Sequence, residues 1–278
     1  MKSLSLRNAG LMRIFKKRFP WEIGATSFVL PAGMVDNVRF LADKVDDIQL
    51  LFFESPANEG LENGVDKEML KKLAGENETG FTVHLPTDIR PGNCCPEQRK
   101  HEVEVIAGLM ADLDFLEPRC YDLHLPRQHD VSHAQWCDNV DTFLSMLKKE
   151  IGRQSRLVAI ENIDYPFARI RSLVESHDLG VCLDVGHALF FGDDLPGFLA
   201  DLSRTRHIHY HGISNNKDHQ GLGPGDKSIT EQLGTALQAG GFEGVVTIEV
   251  YNTCDLHDSL AHLETVWSGY DRQRGMRS

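Results

Sequence analysis

The chain reads as an α/β protein, a single-domain (β/α)8 TIM barrel, and three features of its 278 residues predict this. Eight short apolar runs of strand character alternate with segments of helical period. The runs recur about every 32 residues, close to the ~30 residues of a βαβ unit. No linker or break in composition divides them. Alternating strands and helices require a parallel sheet, and eight even units close most naturally into a barrel of roughly 250 residues.

The predicted strands, in chain order, cover 23–27, 47–53, 81–84, 121–125, 157–162, 180–185, 206–211 and 245–250. Helical period is clearest in Ile106, Leu109, Met110 and Leu113 after the third strand, and in Trp136, Val140, Phe143, Leu144 and Leu147 after the fourth. The first strand runs into Gly24-Ala25-Thr26-Ser27-Phe28, without the glycine pattern of a dinucleotide or phosphate turn. That argues against a nucleotide-cofactor fold.

Residues 1–20 carry six cations and no continuous apolar block, which predicts a short basic extension, a solvated tail ahead of a barrel domain over 21–278. The six cysteines form no CxxC pair, and Cys182 sits within an apolar run, so a reducing, cytoplasmic setting is expected. The net charge of −12 disfavours a nucleic-acid partner. No apolar stretch approaches the ~18 residues of a membrane span.

Barrel chemistry sits where strands finish, so the polar residues that end each strand carry the functional information. Strand three ends at His84, four at His124, five at Glu161-Asn162, six at Asp184 with His187 just beyond, seven at His209 and His211, and eight at Glu249. So many imidazoles and carboxylates at one barrel mouth need a compensating cation, and a divalent metal is the simplest. His207, His209 and His211 share one face of a period-two strand but span about 13 Å, too far for one ion. His207 is expected inside the barrel; His209 or His211 is the ligand, with the other either behind the ligands or touching substrate. His219 lies in a glycine-bearing loop over the mouth, as a further ligand or an exposed loop histidine. Glu54 and Tyr251 are weaker candidates for substrate contact, and Phe28, Tyr165 and Phe190 lie near the expected mouth.

The succession His84, His124, Glu161, Asp184-Val185-Gly186-His187, His209-Tyr210-His211, His219 and Glu249 resembles the abasic-site endonuclease and xylose-isomerase-like superfamily of TIM barrels. By that resemblance His84, His124 and Glu161 hold a first ion, Glu161, Asp184, His209 and Glu249 a second, and His187 and His219 a third. The endonucleases place an aspartate two residues before the last loop histidine. Here that position is Lys217, with Asp218 beside it.

Within the superfamily the chain is similar to the cobamide-remodelling phosphodiesterases of the CbiR type. The likeness is carried by Ile23-Gly24-Ala25-Thr26-Ser27-Phe28, Val83-His84-Leu85-Pro86, Ala159-Ile160-Glu161-Asn162 and His207-Ile208-His209-Tyr210-His211-Gly212. It implies hydrolysis of the nucleotide-loop phosphodiester of a corrinoid, with two or three divalent ions (Zn, Mn or Fe) per chain.

Phosphodiester hydrolysis suits such a site, because a bound divalent ion lowers the pKa of water toward ~7 and a second stabilises the leaving oxygen. On this expectation Glu161 bridges the ions, Glu161 and Glu249 are catalytic, and Lys217 assists as an anion contact. The rival enzyme is a sugar isomerase or epimerase, using one metal on Glu161, Asp184, His209 and Glu249 while the two glutamates move protons. That reading leaves His84 and His124 without metal work. A third reading is a non-catalytic corrinoid or metal carrier.

Overall fold

A computed structural model of the protein describes residues 12–52, 64–268 and 270. Eight parallel strands close into a barrel: β1 (Glu22–Thr26), β2 (Asp47–Leu51), β3 (Gly80–His84), β4 (Tyr121–Leu123), β5 (Val158–Glu161), β6 (Gly180–Asp184), β7 (Thr205–Tyr210) and β10 (Val245–Ile248). β1 pairs with β10 on one side and β2 on the other, which closes the ring. The extra pair, β8 (Gly212–Ser214) and β9 (Lys217–Gln220), forms a separate antiparallel hairpin where the sequence suggested a glycine-bearing loop.

The strands are buried on both faces, and their alternation separates two environments. Ile48, Leu50, Val83, Leu123, Ile160, Leu183, Ile208 and Val246 belong to the apolar layer shared with the helices. The intervening residues form a polar barrel interior. There Thr82 donates to Asp47 (2.8 Å), Gln49 to Asp122 (3.0 Å), and His207 lies 2.7 Å from both Asp122 and Thr247. Each of these buried side chains therefore has at least one partner, although Asp47 Oδ2 and Gln49 Oε1 have no hydrogen bond of their own.

The helices after the third and fourth strands lie where the periodicity placed them. α1 (Met34–Leu41) and α2 (Gly64–Asn77) follow the first two strands, and α3 (Pro96–Leu113) starts on a proline, whose missing N–H costs nothing in a first turn. In α4 (His133–Ile151) the Ser132 hydroxyl caps the N-terminus, accepting from the Gln135 amide, and Trp136, Val140, Phe143, Leu144 and Leu147 face the core. No helix among the described residues is long and apolar enough to cross a membrane.

The basic N-terminal stretch departs from a solvated tail. Phe15 and Phe19 are buried in the main core, and Phe19 packs edge-on to Trp267 at 6.2 Å. Arg13 and Arg18 both pair with Glu264, and the Lys17 amide donates to Asp46. The aromatic residues between the cations anchor this segment, and the cations remain near the surface. Residues 1–11 lie outside the described residues.

Candidate metal centre

The strand-end residues converge because each lies in the inward phase of its strand. His84, Glu161 and Asp184 are the last residues of β3, β5 and β6; His124 and Glu249 follow closely on β4 and β10; His209 is one residue short of the end of β7. Parallel pairing in the closed barrel then brings them together in two-residue steps: His84 sits opposite Asp122, two residues before His124, and Glu161 opposite Cys182, two residues before Asp184. Asp184 sits opposite His209, and Thr247, two residues before Glu249, sits opposite the same histidine.

Three overlapping groups result, each with donor atoms within 4.8 Å of one another: His84, His124 and Glu161; Glu161, Asp184, His209 and Glu249; and Asp184, His187, His211 and His219. Glu161 joins the first two and Asp184 the last two. Glu161 Oε2 lies 3.4 Å from His84 Nε2, 3.1 Å from His124 Nε2 and 3.3 Å from His209 Nδ1. His209 Nδ1 is also 3.1 Å from Glu249 Oε2. His187 Nδ1 stands 3.3 Å from Glu161 Oε1 and 3.2 Å from Asp184 Oδ2.

Several inner atoms of these groups lie close together without a hydrogen bond. His124 Nε2, Glu161 Oε2, Asp184 Oδ2, His209 Nδ1, His211 Nε2 and Glu249 Oε2 are buried without a hydrogen-bond partner. Leaving one such atom unpaired costs about 1–3 kcal/mol, more if charged. Six in one place fit a site built for cations, and the mixed nitrogen and oxygen donors suit Zn²⁺, Mn²⁺ or Fe²⁺.

The electrostatics agree. Burial alone pushes carboxyls up, but His124 and His209 outweigh it and hold Glu161 well below the usual carboxylate range. His209 and His219 do the same for Glu249. Burial pulls His187 down, yet Asp184 and Glu161 more than reverse this and raise it to about 10. Without metal, protons on the histidines are what compensate the carboxylates.

A fourth group, Asp122, Cys182, His207 and His209, lies deeper. It is internally paired: Asp122 bonds His207, and burial together with Asp122 raises the Cys182 thiol well above its ordinary range, so it stays protonated. His207 is thus an interior residue, as its position in β7 suggested. Asp122 and Gln49 went unnoticed in the sequence. Gln49 Nε2 lies 2.7 Å and Asp122 Oδ2 3.5 Å from His209 Nε2, so they hold the ring nitrogen that faces away from the candidate ions. Such an outer partner fixes a ligand ring's orientation. The signal was available: a carboxylate and an amide in the inward phase of two apolar strands.

The remaining expected residues sort as follows. His209 and His211 both join donor groups, but different ones, so the choice between them dissolves. His219 belongs to the third group and stacks on Tyr251 at 5.2 Å. Lys217 is exposed at the start of β9, opposite Ser214. Glu54 lies outside the described residues. Asn162 brackets Asp184, bonding both its backbone N–H (2.8 Å) and its carbonyl (2.9 Å).

Comparison with known proteins gives a consistent fold. The profile of the xylose isomerase-like TIM barrel family matches residues 43–267. Among solved structures, a D-tagatose 3-epimerase-like protein is similar, with 21% identity, a TM-score of 0.73, and coverage of 88% of this chain and 98% of that one. So is the apo form of 3-keto-D-glucoside 4-epimerase, YcjR, from E. coli: 19% identity, TM-score 0.70, coverage 88% and 99%. D-psicose 3-epimerase with D-tagatose from Clostridium cellulolyticum H10 has 14% identity, TM-score 0.67 and coverage 88% and 98%. No curated protein matches the sequence.

Proposed function

The chain belongs to the xylose isomerase-like TIM barrel family, and from that premise we propose that it is a metal-dependent enzyme that hydrolyses a phosphodiester at a multi-ion barrel mouth. The observation that carries this reading is the sharing of Glu161 between His84 and His124 on one side and Asp184, His209 and Glu249 on the other. A one-ion enzyme would use only the second group, leaving the His84 and His124 imidazoles beside a buried glutamate oxygen that has no hydrogen bond.

Bound divalent ions would supply water of lowered pKa and neutralise charge developing on phosphoryl oxygens. The chain's own residues do the rest. Glu161 orients both halves of the site, Gln49 and Asp122 hold the far side of His209, and Asn162 fixes the backbone from which Asp184 projects. The substrate suggested by the sequence resemblance is a cobamide, cut at its nucleotide-loop phosphodiester. A rim of exposed apolar side chains supports a substrate with a large apolar body. Phe28, Phe191, Ile213 and Tyr251 all follow barrel strands at the mouth end, and Phe28 and Tyr251 line a groove of ≈ 320 Å³.

A second reading is a sugar isomerase or epimerase, and the comparisons favour it, since the similar structures are mostly named as such enzymes. The observation on its side is that Glu161, Asp184, His209 and Glu249 alone make a one-ion site with two glutamates, enough to polarise a carbonyl and move a proton.

One experiment separates the two. Purified, metal-assayed protein is incubated in parallel with a complete cobamide and with ketohexoses, following release of the nucleotide-loop fragment by mass and epimer formation by chromatography, with Glu161→Ala as control. Fragment release with more than one ion per chain supports the hydrolase. Epimer formation with a single ion, and no fragment, replaces it with the second reading.

A further inference from the structure

We infer that His211 is a positioning residue and not a metal ligand: its imidazole accepts from the β8–β9 hairpin through Nδ1 and directs its Nε2 proton at Asp184, so that one oxygen of that carboxylate is held by the protein and the other is left for an ion. The inference rests on Asp184 being a metal ligand, and on neither the substrate nor the number of ions.

The backbone places the proton. The His219 N–H donates to His211 Nδ1 at 2.9 Å. A ring nitrogen that accepts carries no hydrogen, so the neutral imidazole keeps its proton on Nε2. The Gly212 carbonyl, 3.1 Å from Nδ1, is then a contact and not an acceptor. Nε2 is buried and faces Asp184 Oδ1 at 3.3 Å. That is long for a hydrogen bond, but both side chains are buried, where a proton facing a carboxylate is strongly attracted. The same Oδ1 accepts the His187 N–H at 2.8 Å. Asp184 Oδ2, by contrast, has no hydrogen bond and lies 3.2 Å from His187 Nδ1 and 4.0 Å from His209 Nδ1. The two oxygens are thereby sorted, Oδ1 toward the protein and Oδ2 toward the group of Glu161, His209 and Glu249.

The ring is held to this task from three sides. Gly186, in the Asp184-Val185-Gly186-His187 turn, leaves room for it: a Cβ there would lie 2.1 Å from Cε1 and 2.4 Å from Nδ1 and Nε2. The His219 ring stacks on it at 4.2 Å with the planes 16° apart. His219 itself takes φ +52, a left-handed conformation uncommon for a non-glycine residue, and in it presents its N–H to Nδ1. His211 therefore ties the place of the hairpin to the orientation of Asp184. The two histidines of β7 and its end divide the work, since His209 faces the ions and His211 faces one of their ligands.

The test reads the proton first. Long-range proton–nitrogen NMR of the full-length, Zn²⁺-loaded chain is expected to show His211 protonated on Nε2 with a free Nδ1, its signals identified by their loss in His211→Gln. Protonation on Nδ1, or an Nε2 shifted as a metal-bound nitrogen, overturns the inference whether or not any variant folds. The second reading is Co²⁺ affinity by competition with a chelator, in variants checked for folding by circular dichroism. His211→Gln, whose amide reaches the Nε2 position, is expected to keep the wild-type affinity. His211→Asn, which retains only an acceptor near Nδ1, is expected to lose roughly 10–100-fold. A folded His211→Asn with unchanged affinity, or equal losses in both variants, overturns the inference. A chain that binds no divalent ion overturns it together with the metal centre, whereas a metal-loaded chain that cuts no phosphodiester refutes only the proposed reaction.

Discussion

Glu161 is the residue on which the site turns, because two donor groups meet on its buried carboxylate and its other oxygen faces His187. Glu161→Gln keeps the shape and removes the charge, so it is expected to release at least one ion and to lower turnover by a hundred-fold or more, on the order of losing a main electrostatic contact. Metal analysis and kcat together check this. Asp122 acts one step further out. Asp122→Asn removes the charge behind His209 while its neighbours stay packed, and is expected to weaken metal affinity by roughly 10–100-fold. Competition with a chelator measures it; unchanged affinity would reduce Asp122 to a partner of His207.

At the scale of elements, the start of β2 carries a pH-dependent cost. Burial, with Asp122 and Asp46 adding like charge, outweighs the Thr82 hydroxyl and raises the Asp47 carboxyl to about 7. The folded chain therefore keeps a proton there that the unfolded chain releases near pH 4. The stability tied to that proton is full below the unfolded value and is lost as pH rises through about 7, by a few kcal/mol at the order of magnitude. Asp47→Asn is expected to flatten this limb of the denaturation profile between pH 4 and 8. The hairpin β8–β9 is the other element with consequences. Asn215 and Asn216 take φ +53 and +57, the two positive values a tight two-residue turn needs, and the turn carries Asp218 and His219 over the mouth. That asparagine pair was a legible hairpin signal between Ser214 and Lys217.

Across the whole molecule, the ring of histidines and carboxylates makes stability depend jointly on pH and metal. His84, His187 and His209 are all raised, His187 to about 10, by the carboxylates they face. In the metal-free chain, that stabilisation is complete below the ordinary histidine range and is lost as pH climbs through the raised values. Metal reverses the sign, because an ion displaces those protons and binds more tightly as they leave. Thermal scans of stripped protein are expected to show a falling Tm from about pH 7 toward 10, and a metal-induced gain in Tm that grows over the same interval. A gain that shrinks with pH would mean that the ions bind elsewhere.

The barrel was legible because its evidence is local and repeated: period-two strands and 3.6-period helices recur eight times in order, and closure follows from even spacing. The strand-end donors were legible for the same reason, as a βα barrel places its strand ends at one mouth. Three things were decided only by the tertiary structure. Phe15 and Phe19 anchor a segment whose charges suggest a tail, because the core that receives them, around Trp267, lies at the far end of the chain. Asp122 and Gln49 acquire meaning only when β2 and β4 face β7 across the barrel interior. His209 and His211, two residues apart on one strand, serve different donor groups because the 3.3 Å rise per residue separates them and Gly186 opens space for the second ring. Periodicity is a property of neighbours in sequence, whereas coordination depends on atoms from six strands meeting within a few ångströms, and only the closed barrel sets those distances.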